Sequence, residues 1–210
     1  MGKHRTPEEL KSQIMKGTMH LVAEGGMSNF SFPKLMQVTG ISAPTVYEHF
    51  KNKEVLLKSC FMKIDSEVIC LVESKIEELP GDIPYNSPEK MNDVFQLIWL
   101  SYWKFLLSDR EKTLFYWRYY NSEFYTKKLA DERDKNFIEL IEFVNLLDLK
   151  YNAQKEHNFR ILLENIINST VRDATKVLCG IYENNDVTAK TVYKMMFQPV
   201  FSILDINTNE

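Results

Sequence analysis

Between Gly40 and Glu54 the chain reads GISAPTVYEHFKNKE. Thr45, Tyr47 and His49 bring hydrogen-bonding groups, and Lys53 brings a fixed positive charge. On a helical wheel of about 100° per residue, Val46 and Phe50 fall within roughly 40° of each other and define an inward face. Pro44 and Glu48 lie opposite them, with Thr45 and His49 on one flank and Ala43 and Tyr47 on the other. The outward surface is therefore low at its N-terminal end, where Ala43, Pro44 and Thr45 stand. Longer donors point to either side. A helix of that shape fits a major groove about 12 Å wide: the small residues approach base edges while the flanking donors reach the phosphate walls. Lys53 opens the following helix, where the first backbone N–H groups already favour an anion.

Helices are predicted on both sides of this stretch. Thr6-Pro7-Glu8-Glu9 is a capping box with proline in the first turn, and Leu10, Ile14, Thr18, Leu21 and Val22 repeat behind it until Gly25-Gly26. Ser31 can cap a short second helix carrying Leu35 and Val38. Gly40 supplies the left-handed residue of a tight turn, and Ser42 can cap a third helix from Ala43 to about Phe50. A long helix is expected over 53–79, with Leu56, Leu57, Cys60, Ile64, Val68, Leu71 and Val72 inward. LPGDIPYNSPEK then interrupts the chain, and Ser87-Pro88 restarts a helix to about Leu107. Ser108 with Glu111 reads as another capping box, opening a helix to about Tyr120. Helices over 126–147, 153–182 and 187–204 complete an all-α chain.

Composition narrows the function classes. A chain of 210 residues, 44% hydrophobic, can bury a sizeable core. Its net charge of −3 is unevenly divided: residues 1–64 hold nine Lys/Arg against five Asp/Glu, and 65–210 hold seventeen against twenty-four. The basic part is small and N-terminal, as a polyanion-binding surface requires. Cys60, Cys70 and Cys179 form no CxxC; Cys60 and Cys70 fall in an apolar helical pattern and are expected to be buried thiols in a reducing compartment. The first residues hold no apolar signal core and no run is long enough to span a membrane, which points to a cytoplasmic protein. His4, His20, His49 and His157 have no metal-ligand spacing, and GxGxxG, P-loop, HExxH and GxSxG motifs are absent, so neither a metal nor a cofactor is expected.

SFPKLMQVTGISAPTVYEHFKNKEVLL resembles the DNA-binding signature of the tetracycline-repressor-like (TetR/AcrR) transcriptional regulators. The likeness runs from Lys11 and Ile14 through Gly26, Ser31, Gly40, Ser42, Thr45, Tyr47, His49, Phe50, Lys53 and Glu54 to Leu56-Leu57. It implies an N-terminal three-helix helix-turn-helix domain over 1–52, followed by a larger effector-binding and dimerisation domain over 53–210, with 53–79 as the connecting helix. It further implies phosphate contacts from Ser31, Thr45, Tyr47, His49 and Lys53, base edges beneath Ala43 and Pro44, and a repressor of a palindromic operator that works as a homodimer. Pro33, Met36 and Thr39 depart from the family pattern; Met36 and Thr39 enlarge the packing between helices.

Residues 95–125 are dense in aromatics, including Trp99, Tyr102, Trp103, Tyr116, Trp117, Tyr120 and Phe124. They can wall a cavity for a small hydrophobic or aromatic effector, which the resemblance also implies, or form plain core. Arg110, Arg118 and Arg133 can pair with an anionic effector or with nearby acids. Ile161, Leu162, Ile166, Ile167, Val171, Ala174 and Leu178 make one apolar face; Val192, Met195, Met196, Val200, Phe201 and Leu204 make another. The resemblance assigns these two helices to a dimer interface. An alternative gives the C-terminal domain a protein partner instead of a small molecule, and a remote one makes the chain a helical enzyme.

Overall fold

The computed structural model describes residues 5–79, 88–137 and 156–203, and every regular element among them is helical. The first helix, α1, spans Pro7–Gly25. The Thr6 backbone N–H donates to Glu9 Oε2 at 2.8 Å and the Glu9 N–H donates to Thr6 Oγ1 at 3.2 Å, so the expected capping box forms. Gly26, at φ 81°, ends the helix and leads into a single 3-10 turn over Met27–Asn29.

The next two helices are short and joined tightly. α2 spans Phe32–Thr39, with Ser31 Oγ accepting from the Lys34 N–H at 3.4 Å. Gly40 stands at φ 68°, the left-handed turn the sequence requires. α3 spans Ala43–His49, and Phe50 is its C-terminal cap rather than its last helical residue. Ser42 holds the N-cap position, but its hydroxyl lies 2.9 Å from Thr45 Oγ1 and makes no backbone capping bond. Leu35, Val46 and Phe50 are buried, as their spacing predicts; Val38 is 49% exposed and belongs to the outer face of α2.

α4 spans Lys53–Glu77. Asn52 starts it by accepting the Val55 N–H at 2.9 Å. Leu56, Leu57, Cys60, Ile64, Val68 and Val72 are buried, whereas Leu71 is only half-buried and Cys70 is exposed. Cys70 thus departs from its expected burial because it lies on the outer side of the same helix. The Ser87 cap falls outside the described residues.

α5 spans Pro88–Ser108 and α6 spans Arg110–Tyr120. The start of α6 corrects the expected Ser108–Glu111 box. Asp109 is the cap, accepting the Lys112 N–H at 3.0 Å, while Ser108 Oγ turns back to the Phe105 carbonyl at 2.7 Å. A hydroxyl at the end of one helix finds a nearer acceptor in the turn behind it. α7 spans Lys127–Asn136, α8 spans Glu156–Leu178 and α9 spans Asp186–Ile203. The remainder of the helix expected over 126–147, residues 153–155 and Leu204 lie outside the described residues.

α6 is the hub of the packing. It lies against α1, α4, α5 and α8, while α5, α8 and α9 pack on one another. One continuous apolar core runs from Ile14 in α1 to Phe201 in α9. Val192, Met196, Val200 and Phe201 of α9 and Ile167, Val171 and Ala174 of α8 are buried within this core. Ile161, at 64% exposed, and Met195, at 57%, face outward from the same two helices.

Candidate nucleic-acid interface

The outward side of α3 has the shape the wheel predicts. Pro44, Tyr47 and Glu48 are exposed, and Ala43, Thr45 and His49 are half-buried on its shoulders. Tyr47 is 54% exposed, and its ring meets Phe32 of α2 edge-on at 5.1 Å, which braces the phenol without covering it. Ser31 is half-buried and keeps its hydroxyl on the α2 cap. Exposed Lys34 and Lys51 stand on the same helix-turn-helix, with Lys34 donating to Asn29 Oδ1.

Lys53 is placed differently. Its ammonium donates to the Met27 carbonyl at 3.1 Å and lies 5.8 Å from the Phe30 ring and 5.7 Å from the Phe124 ring. It therefore ties the start of α4 to the 3-10 turn on one side and to the segment after α6 on the other. Arg118 of α6 reaches the same junction and donates to the Val22 carbonyl, which also takes the Gly26 N–H at 2.8 Å. Gly26, Met27, Lys53, Trp117, Arg118 and Ser122 are among the residues that border a cleft of about 470 Å³ there.

The angle of α2 depends on a fit that the sequence hid. A Cβ placed on Gly17 of α1 would lie 2.4 Å from Thr39 Cγ2 and 3.1 Å from Leu35 Cδ1. Gly17 leaves room for the Thr39 methyl, so the enlargement expected at Thr39 is absorbed by a missing side chain across the helix pair. Gln13 Nε2 also donates to the Thr39 carbonyl at 2.9 Å, fixing the end of α2 against α1.

The seven aromatics that could wall an effector cavity fall into three groups. Trp99 and Trp103 stack at 5.3 Å, and Trp99 Nε1 donates to Thr170 Oγ1 of α8 at 3.1 Å. Trp117 and Phe124 belong to the junction beside Lys53. Tyr102 and Tyr116 lie in the field of a buried ion pair, Asp65 of α4 with Arg133 of α7, and Tyr120 bonds the same arginine.

That pair is the polar centre of the core. Arg133 Nε donates to Asp65 Oδ2 at 2.6 Å, Nη1 to the Tyr120 hydroxyl at 3.1 Å and Nη2 to the Tyr116 hydroxyl at 3.1 Å. Tyr116 donates in turn to Asp65 Oδ1, and Tyr120 to Glu164 Oε1 of α8 at 3.1 Å. Burial opposes the charge on Arg133, yet Tyr116 and Asp65 hold its pKa well above the ordinary value. The other two arginines also have protein partners: Arg110 pairs with Glu24 at 2.8 Å and Arg118 holds Val22.

Among the described residues no group of three or more His, Cys, Asp or Glu side chains could hold a metal ion, and no helix is long and apolar enough to cross a membrane.

Residues 14–60 match the family of bacterial regulatory proteins of the tetR type. An uncharacterised HTH-type transcriptional regulator of Haemophilus influenzae is 26% identical over 98 residues, which are 47% of this chain and 48% of that protein. The HTH-type transcriptional regulator BetI of Vibrio campbellii is 23% identical over 121 residues, covering 53% of this chain and 61% of BetI. The chain thus spans from about half to three fifths of the length of these curated relatives. A TetR family transcription regulator from Marinobacter aquaeolei VT8 has the same fold, with a TM-score of 0.73 at 17% identity over 90% of this chain and 94% of that one.

Proposed function

We propose that this chain, whose residues 14–60 match the tetR family of bacterial regulatory proteins, is a transcriptional regulator that holds double-stranded DNA with α2 and α3. The observation that carries the reading is the exposed, narrow face of α3, Ala43-Pro44-Thr45 at its tip and Tyr47 braced on Phe32 at its side. Residues 1–52 act as the DNA-binding unit and 53–210 as the unit that senses and dimerises, with α4 joining them. Ser31, Thr45, Tyr47, His49 and Lys53 hold phosphates; Ala43 and Pro44 lie over base edges. To reach a phosphate, the Lys53 ammonium turns from the Met27 carbonyl.

One short helix reads few base pairs, so the functional unit is a two-fold dimer on a palindromic operator. The exposed Ile161 of α8 and Met195 of α9 support a dimer face on those helices. The regulator represses, and a small effector with an apolar body, bound among the aromatics of α5 and α6, releases it by changing the tilt of α4. Lowering DNA affinity 100-fold takes about 2.7 kcal/mol of differential binding between the two states.

Selection of duplexes from a random pool tests the reading. Two inverted half-sites separated by about one helical turn are expected; a pool that returns no enriched duplex refutes it.

A further inference from the structure

Tyr102 of α5 is 5% exposed, and its hydroxyl has no hydrogen-bond partner among the described residues. Such a group in a packed core demands an explanation, because burying an unpaired hydroxyl is worse than having none. Its surroundings supply one. Burial pushes the Tyr102 pKa up, and the charges of Arg133 and Asp65 both act on it. The neighbouring tyrosines are satisfied: Tyr116 donates to Asp65 and Tyr120 to Glu164. Of these three tyrosines Tyr102 alone has an O–H with no acceptor among the described residues, and the Arg133 guanidinium whose charge acts on it lies over the Tyr120 and Phe137 rings, at 5.2 and 4.8 Å from their centroids.

An unreceived O–H in the field of a buried cation calls for an oxygen acceptor, and a carboxylate is the acceptor whose geometry suits a guanidinium fork. The aromatic rings around it suit an aromatic body. We propose that Tyr102 and Arg133 anchor the carboxylate of a small aromatic acid, and that its arrival draws Arg133 away from Asp65. Ligand and Asp65 compete for one cation. Since Asp65 lies on α4 and Arg133 on α7, the exchange loosens α4 from the helices that hold it, and α4 begins directly after the reading helix. This rests on the effector-responsive reading above and names the chemistry of that effector.

The test titrates the full chain with benzoate and phenylacetate, each beside its amide, by calorimetry, in the wild type and in Tyr102→Phe. At least one acid is expected to bind, with its amide weaker by about tenfold or more, since the amide has neither the negative charge nor the second oxygen of a bidentate ion pair. Tyr102→Phe is expected to weaken the acid by about tenfold while leaving the thermal midpoint unchanged or higher, because it removes a hydroxyl that satisfies nothing. The proposal is overturned if neither acid binds at millimolar concentration, if acid and amide bind alike, if Tyr102→Phe binds as the wild type does, or if it melts markedly lower. A parallel titration with the selected duplex separates the two readings. Duplex binding that ignores the acid overturns this inference alone, and loss of all duplex binding overturns the regulator itself.

Discussion

Arg133 Nε lies 2.6 Å from Asp65 Oδ2, joining α7 to the middle of α4 across 68 positions of sequence, with both side chains buried. Removing one partner leaves a charge with no compensation in a low-dielectric interior. Arg133→Met is therefore expected to destabilise the fold by about 3–5 kcal/mol, and Asp65→Leu together with Arg133→Met to recover most of that loss. Urea denaturation of both variants measures it. An Arg133→Met chain that unfolds at the wild-type midpoint would show that the pair holds nothing.

The Gly17–Thr39 fit gives a prediction whose sign depends on background. Alanine in a helix gains about 1 kcal/mol over glycine, but overpacking costs about 1–3 kcal/mol. With Thr39 Cγ2 at 2.4 Å from the new Cβ, Gly17→Ala is expected to be net destabilising in the wild type. In a Thr39→Ser background, where the methyl is gone and the hydroxyl that bonds the Leu35 carbonyl remains, the same change is expected to be neutral or stabilising. Equal effects in both backgrounds would remove this contact from the account.

What the sequence made legible was local. The Thr6–Glu9 box, the Ser31 cap and the Gly40 turn each close within a few residues, so residue type and spacing suffice. The same holds for the outward face of α3. Local rules misled where two local bonds competed: Ser108 and Asp109 can both cap α6, and the nearby Phe105 carbonyl takes the serine. They were silent where partners are distant in sequence. Nothing around Asp65 marks it as buried, since its partner comes from α7. Gly17 carries no sign that it faces Thr39, and Cys70 differs from Cys60 only in its side of α4.

The cysteines test that last placement. Burial pushes the Cys60 thiol up from its ordinary pKa, and its Sγ lies 3.8 Å from the Met15 carbonyl; Cys70 is exposed. A thiol-specific dye is expected to label Cys70 within minutes and Cys60 only after unfolding. Peptide mapping of the labelled chain identifies the sites, and rapid native labelling of Cys60 would contradict the packing of α4 on α1.

Phosphate and base contacts should separate in binding assays. Lys53→Ala is expected to weaken all duplexes alike and to reduce the salt slope by about one. Pro44→Ala is expected to change which duplex is preferred, by roughly 1–3 kcal/mol per affected base pair. Anisotropy at several salt concentrations reports both quantities. A Lys53→Ala chain with the wild-type slope would mean that this lysine remains on the Met27 carbonyl when DNA binds.

DNA binding requires α3 to enter the groove, and the most direct measurement is anisotropy of the selected duplex at low ionic strength with wild type and with Tyr47→Glu. Tyr47 is 54% exposed, so the change leaves the core intact while placing a negative charge on the reading face. Saturable binding by the wild type and its loss in the variant, with both chains melting alike, is the expected result. A variant that binds as tightly as the wild type, or a wild type that binds no duplex, would contradict the account.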